Sequence, residues 1–64
     1  MNEVDVKDKI MLTIKEAAQI SNVGENKIRE LIERRDCNFT LHIGTKTLVK
    51  RKKFEEYLML RDVI

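Results

Sequence analysis

The feature that most restricts the fold of this sequence is the short distance between two helical patterns. Thr13 and Glu16 have the spacing of a capping box, which predicts a helix from Ile14 to about Ser21. A second helical stripe follows after only three residues, 22–24, and consists of Ile28, Leu31, Ile32 and the stem of Arg35. Helices joined this tightly need a small side chain where they cross and a turn residue that tolerates a left-handed backbone.

The residues around the predicted turn meet these needs. Ala18 is the expected close-contact position, and Asn22, four residues on, is the expected turn residue. Val23 should pack beneath the turn, while Ile28 and Leu31 fill the angle between the helices. This is the helix-turn-helix pattern, with Asn22 where glycine is more usual. By itself the pattern would also fit a tight helical hairpin of another kind.

In the second half of the chain the hydrophobic period changes to two. Phe39, Leu41 and Ile43 alternate with polar residues, which predicts a half-buried strand. Residues 44–46 predict a turn into a return strand over 47–50, so that the two strands form a hairpin. The buried face of the return strand stays open at this point, since Leu48 and Val49 compete for it.

Two further elements complete the predicted fold. Residues 10–12 could form one short strand, and a last helix from about Arg51 carries Phe54, Tyr57 and Leu58 at helical spacing. The prediction is therefore an α+β fold over residues 10–64: a small winged helix-turn-helix domain with a short strand, two helices, a β-hairpin wing and a C-terminal helix. Residues 1–9 lack a sustained period and are expected to be a flexible arm.

Positive charge is concentrated beside the predicted wing. The formal net charge is only +2, yet residues 37–53 contain five cations and no acid: Lys46, Lys50, Arg51, Lys52 and Lys53. Cations in the first turn of a helix oppose its dipole by roughly 0.3 to 1 kcal/mol each, so this cluster does not serve helix stability. Contact with phosphates is the preferred interpretation, and a merely solvated basic face is the alternative.

The expected partner is double-stranded DNA, bound by two sets of residues. In this fold the second helix enters the major groove and the wing reaches the backbone or the minor groove. The candidates on the recognition helix are Asn26, Lys27, Arg29, Glu30 and Arg34. The candidates on and beside the wing are Thr45, Lys46, Lys50, Arg51 and Lys53.

The two outward glutamates of the recognition helix complicate this assignment. Asparagine can pair with adenine, arginine or lysine with guanine, and glutamate can accept from cytosine. Glu30 and Arg34 have the i,i+4 spacing of an ordinary surface ion pair, however, so the role of Glu30 stays open. For Glu33 a surface ion pair is the preferred interpretation.

Residues 10–60 resemble the excisionases of conjugative transposons and temperate phages, whose helix-turn-helix also resembles the heads of MerR-type regulators. The resemblance is carried by residues 12–18, 23–29 and 49–55, together with Gly44. It implies a protein that binds recombination-site DNA, bends it and helps a partner integrase excise a mobile element. Glu30 and Glu33 depart from the phage members, which often carry arginine there, and this affects the base contacts more than the fold.

No residue pattern indicates catalysis, a metal or a cofactor. Cys37 and His42 cannot complete a metal site, which needs three or four ligands, and Gly24 and Gly44 cannot form a glycine-rich phosphate loop. We therefore expect a protein that is not an enzyme. A lone cysteine, a polar start to the chain and the absence of a long apolar segment favour a cytoplasmic protein that does not span a membrane.

Two other functions remain open from the sequence. A MerR-like transcriptional regulator is one, although such regulators usually continue into a long dimerising helix. A protein-interaction module is the other, and it would dock through the apolar residues of the tail, Leu58, Leu60, Val63 and Ile64. For an excisionase the same tail would contact a neighbouring copy on DNA or the integrase, unless it caps the core.

Overall fold

The computed structural model describes residues 9–64, which form three helices and a three-stranded antiparallel sheet. In chain order the elements are β1 (Met11–Leu12), α1 (Ile14–Ser21), α2 (Glu25–Ile32), β2 (Thr40–Ile43), β3 (Lys46–Lys50) and α3 (Arg51–Met59). This order confirms the predicted α+β winged helix-turn-helix fold. Of the predicted arm, residues 1–8 lie outside the described residues; the ammonium of Lys9 lies 2.6 Å from a carboxylate oxygen of Glu16.

Local hydrogen bonds define both ends of α1. The backbone N–H of Glu16 donates to Thr13 Oγ1 over 3.1 Å, and the backbone N–H of Thr13 donates to Glu16 Oε1 over 3.0 Å, so the predicted capping box is present. At the other end Asn22 has a φ of 60° and donates its backbone N–H to the carbonyl of Ala18. The left-handed turn at Asn22 is therefore confirmed.

The most deeply buried alanine of α1 is Ala17, whereas the sequence predicted Ala18 as the close-contact position. Ala17 is fully buried, whereas Ala18 is only partly buried against the core. Ala17 belongs to the same buried cluster as Ile28 and Leu31, the inward residues of α2. Val23, in the turn, packs against this cluster as expected.

The short strand β1 pairs with β3, so the sheet order is β1-β3-β2. Leu12 lies opposite Val49, and both side chains are fully buried. Val49 and not Leu48 thus faces inward from β3, which answers the question that the sequence left open. The backbone N–H of Arg51, the first residue of α3, donates to the carbonyl of Ile10. The segment that contains β1 therefore also fixes the start of α3.

Among residues 9–64, eight apolar or aromatic side chains form the core: Leu12, Ala17, Ile28, Leu31, Phe39, Val49, Phe54 and Tyr57. The ring centroid of Phe39 lies 5.1 Å from that of Phe54 and also 5.1 Å from that of Tyr57, in tilted and edge-on arrangements. Such ring pairs contribute about 0.5 to 1.5 kcal/mol each beyond the area they bury. Phe39 therefore anchors the base of the wing to α3.

The expectation that Leu41 and Ile43 would be buried beside Phe39 is wrong. Leu41 is 38% exposed and Ile43 is 56% exposed, because α3 covers only Phe39 and the hairpin extends beyond the core. The expected packing of the Arg35 stem is wrong for a similar reason. Helix α2 ends at Ile32 with Glu33 as its cap, and Arg35 lies exposed in the turns that follow.

Candidate nucleic-acid interface

The outer face of α2 is polar and open to solvent. The backbone of Gly24 caps the helix in an extended conformation, and Asn26 follows as its second residue. Asn26, Arg29 and Glu30 are exposed, whereas Lys27 is half-buried. The side chain best placed to reach base edges from the amino end of the helix is thus Asn26, since its amide makes no hydrogen bond with another residue of the range 9–64.

The cations of this face are paired with its own acids. Glu30 lies 3.4 Å from the ammonium of Lys27 and 3.2 Å from the guanidinium of Arg34, and Arg29 lies 3.9 Å from Glu25. The hydrogen bond from Arg34, and then the charge of Lys27, lower the pKa of Glu30 below its ordinary value of 4.5. These contacts favour the surface ion pair over cytosine recognition as the role of Glu30.

Arg34 lies beyond the recognition helix to which the sequence assigned it. Because α2 ends at Ile32, Arg34 occupies the turn that follows, where it donates to Glu30 Oε1 and, over 2.7 Å, to the carbonyl of Ile64. Its guanidinium therefore joins the end of α2 to the last residue of the chain. A DNA contact by Arg34 stays a prediction, and it would have to compete with these two acceptors.

The tip of the wing is a two-residue turn, Gly44 and Thr45. Gly44 has a φ of +58°, a conformation that a side chain at this position would strain. Lys46, which was predicted to lie in the turn, is instead the first residue of β3 and pairs with Ile43. The hairpin is one residue tighter than predicted, but Lys46 still flanks the tip and is exposed.

The five cations of the basic segment fall into two groups. Arg51 lies 3.4 Å from Glu55, and Lys53 lies 4.0 Å from Glu56, so α3 partly neutralises both. The other three, Lys46, Lys50 and Lys52, make no ion pair with any other residue in the range 9–64. We call Lys46, Lys50 and Lys52 the wing lysines. They are the cations of the wing region most available to phosphate.

Sequence reasoning missed two features of this surface. Lys52 was part of the basic cluster predicted to contact phosphates but was not among the individually named candidates, and within residues 9–64 only the absence of a partner carboxylate distinguishes it from Lys53. Ile43 was taken for a core residue because of its period-two position. No signal in the sequence separates it from Phe39, which has the same spacing and is fully buried.

A second polar network fixes the segment between α2 and the wing. Asp36 accepts a hydrogen bond of 3.0 Å from the hydroxyl of Tyr57 and one of 2.8 Å from Arg61, whose guanidinium also lies 3.6 Å from the centre of the Tyr57 ring. The hydrogen bond from Arg61, then the hydrogen bond from Tyr57, and after these the charge of Arg61 lower the pKa of Asp36. This network connects the loop after α2 to α3 and the residues that follow it, and so helps to hold this loop against the helix that follows the wing.

Residues 9–64 contain no group of three or more His, Cys, Asp or Glu side chains that could hold a metal ion. None of the helices in this range is long and apolar enough to cross a membrane.

Comparison with known proteins agrees with the geometry. Residues 11–59 match the protein family described as "Helix-turn-helix domain". Over 63 residues the chain is 33% identical to the excisionase from transposon Tn916 of Streptococcus agalactiae serotype V, and the match covers 97% of this chain and 94% of that protein. No solved structure is a significant match.

The fold, its exposed basic wing and these matches define a DNA-binding protein of the winged helix-turn-helix class. Within that class, the chain belongs to the excisionase family. The resemblance inferred from residues 10–60 is thereby confirmed.

Proposed function

We propose that this protein is an architectural accessory factor, which binds and bends recombination-site DNA and helps an integrase to excise a mobile element. In this proposal α2 lies in a major groove, with Asn26, Lys27 and Arg29 directed to the bases. The wing lies against the neighbouring backbone, where Thr45 and the nearby cations bind phosphates. The protein itself breaks no DNA strand, and the integrase supplies the chemistry.

The observation that carries the proposal is the set of wing lysines. Three cations that make no ion pair with any acid of residues 9–64 lie within seven residues of one another, on and directly after the hairpin that flanks the helix-turn-helix. Each cation that binds a phosphate releases condensed counterions, which drives association at low salt. A surface of this kind supports binding to a polyanion more strongly than docking on a neutral protein.

Bending a short DNA site has a modest energetic cost. Smoothly bending a site of 20 to 30 base pairs costs on the order of 1 to 6 kcal/mol. A helix in one groove and a wing on the adjacent backbone could offset such a cost through contacts that only the bent duplex permits. Several copies bound side by side would share it.

The tail, residues 58–64, begins in the last turn of α3 and is the surface we propose for contact with the integrase or with a neighbouring copy. Leu60 is 82% exposed and Val63 is 88% exposed, whereas Leu58 and Ile64 pack against the core. The alternative role of the tail, capping the core, thus fits some of its residues and not others. Exchange of Leu60 and Val63 for serine therefore tests docking more cleanly than deletion of the tail, which would also remove the contacts of Arg61 and Ile64.

The proposal is tested by binding and by reconstituted excision. The purified chain should bind duplex DNA, with a preferred site among fragments from the ends of the element, and log affinity should fall with log salt by about 0.9 for each phosphate contact. The variant Leu60→Ser/Val63→Ser should bind DNA like the wild type and melt at the same temperature, yet lower the excision yield with the cognate integrase. Affinity that does not change with salt would reject DNA binding. Normal excision by the variant would reject the tail as a docking surface.

A further inference from the structure

The wing hairpin has one polar face. Residues directly opposite one another in an antiparallel pair lie on the same side of the sheet, and successive residues alternate. The pairs Thr40–Val49 and His42–Thr47 therefore share a face. On it, His42 Nδ1 and Thr47 Oγ1 are joined by a hydrogen bond of 3.2 Å. The polar side chains of His42 and Thr47 on this face thus hydrogen-bond to each other, and Val49 at its base belongs to the core.

The opposite face is apolar and basic. It carries the pairs Leu41–Leu48 and Ile43–Lys46, and we call these four residues the apolar wing face. Exposure rises from the Leu41–Leu48 pair toward the tip: Leu48 is half-buried and Leu41, opposite it, is 38% exposed, whereas Ile43 is 56% exposed. Within residues 9–64 no element covers Ile43, which directly precedes the turn at Gly44.

The charges around this face indicate what covers it. Lys46 lies across the ladder from Ile43, Lys50 follows on the same side of β3, and residues 37–53 contain no acid. A polyanion with an apolar wall complements such a surface. The minor groove of DNA provides both, and its width of about 6 Å admits a hairpin tip but not a whole ribbon. The side chains that flank the tip are those of Ile43 and Lys46.

We infer that Ile43 is the apolar contact of the wing tip with DNA. Its side chain enters the minor groove and packs against sugars and base edges, while Lys46 binds the flanking phosphate. Isoleucine is among the residues that proteins insert between base steps, where they partly unstack the bases and kink the duplex. Ile43 thus contributes a component of affinity that does not depend on salt, and it directs the bend. This inference rests on the proposed function, since it requires the wing to lie on DNA.

The test compares Ile43→Ala with Lys46→Ala on duplexes of about 30 base pairs that the wild type has selected from a random-sequence pool and that carry a fluorophore at each end. Ile43→Ala should weaken binding by about tenfold at every salt concentration, because it removes buried apolar area without removing a charge. It should also reduce the energy transfer between the duplex ends. Lys46→Ala should instead flatten the salt slope by about 0.9.

Two further variants separate the apolar contact from other effects. Ile43→Leu keeps the apolar volume and should stay within about threefold of the wild type. Met59→Ala removes a side chain that is 84% exposed at the end of α3, and it should change neither affinity nor energy transfer. Circular dichroism melting of each variant verifies that the fold is intact.

Other outcomes overturn the inference in distinguishable ways. A wild-type chain that binds no duplex rejects the proposed function as well. If the wild type binds DNA and Ile43→Ala leaves affinity and energy transfer unchanged, this inference is rejected while the proposed function stands. If Ile43→Ala instead changes the sedimentation of the protein without DNA, the tip is an interface between copies and not a DNA contact.

Discussion

Helix α2 and the wing are the two predicted DNA-contacting regions, and they differ in whether their cations form ion pairs. On α2, Lys27 lies within ion-pair distance of Glu30 and Arg29 within that of Glu25. In the wing region, the three wing lysines make no ion pair with any residue of the range 9–64. An exposed ion pair contributes about 0.2 to 1 kcal/mol of stabilisation. A cation of α2 that binds a phosphate loses this contribution, so its net contribution to DNA affinity is smaller.

From this difference we expect α2 to determine base specificity and the wing to provide affinity for DNA of any sequence. A helix with neutralised charge adds little affinity for arbitrary DNA, so that its polar groups, above all Asn26, can discriminate between bases. A wing whose lysines make no ion pair among residues 9–64 adds affinity for any sequence, and this affinity depends steeply on salt. We therefore expect charge-driven affinity and base choice to respond to separate substitutions.

The largest effect should follow from removal of the wing lysines. The triple variant Lys46→Ala/Lys50→Ala/Lys52→Ala should flatten the plot of log affinity against log salt by about 2.7, or about 0.9 for each contact, on all sequences alike. Lys53→Ala should flatten the slope by less than the roughly 0.9 expected for a single wing lysine, because Lys53 lies 4.0 Å from Glu56. Fluorescence anisotropy at several salt concentrations measures both.

The matched control is Lys15→Ala, which removes a lysine of α1 that likewise has no ion pair among residues 9–64. Its salt slope should stay close to that of the wild type. Equal slopes for the triple variant and the wild type would contradict the assignment of charge-driven affinity to the wing.

Substitution of Asn26 should have the next largest effect, and on specificity. Asn26→Ala should cost about 1 to 3 kcal/mol on the preferred site, because it removes a bidentate base contact, while binding to unrelated duplex stays the same. Selection from a random-sequence pool should show relaxed preference at one base position. A uniform loss on all sequences would instead place Asn26 on the backbone and remove the distinction between the two regions.

A smaller effect should follow when the cations that pair with Glu30 are freed: DNA binding should become tighter and not weaker. Glu30→Gln keeps the shape of the side chain but removes the charge that holds Lys27 and Arg34. Binding to arbitrary duplex should tighten by about 1.4- to 5-fold, as expected for an exposed ion pair, and the salt slope should steepen. Glu33→Gln is the control on the same face, since Glu33 makes no ion pair within the described range. If both variants tighten binding equally, the cause is net charge and not release of a pair.

The smallest effect concerns pH. Because the pKa of Glu30 is lowered from 4.5, its carboxylate stays ionised at all pH values above that figure, and its ion pairs are lost only as the pH falls through the lowered value. The affinity ratio of Glu30→Gln to the wild type should thus be constant from about pH 8 to pH 5 and approach one only in more acid solution. The ratio cancels titrations that both proteins share. A ratio that already declines near pH 6 would show that Glu30 is not held by Arg34 and Lys27.

The fold was predictable wherever short-range interactions decide the structure. The capping box of α1 joins residues three positions apart, and the turn at Asn22 depends on the backbone preference of one residue. Both can be inferred from a few neighbouring letters of the sequence. The buried stripe of α2 and the aromatic residues of α3 were predictable as well, because amphipathic periodicity already indicates which side of a helix faces the core.

The site was less predictable, because its properties depend on contacts between distant residues. The candidate residues could be named, but Lys46 was placed in the turn and Arg34 on the helix, each only a short distance from its observed position. The spacing of Phe39, Leu41 and Ile43 indicates one common face, yet only Phe39 lies under α3. Whether an apolar residue of a strand is a core residue or a contact residue depends on how far the covering element extends.

The sequence alone determined that this chain forms a helix-turn-helix followed by a basic hairpin, since helix caps, turn residues and hydrophobic period act over a few positions. Only the tertiary structure decided which cations are neutralised and which apolar residues are exposed. The bond from Arg34 to Ile64 joins positions 30 residues apart, and the pairing of Leu12 with Val49 is equally long-range. Such contacts depend on how the elements pack together, because side chains far apart in sequence meet only after the core has formed.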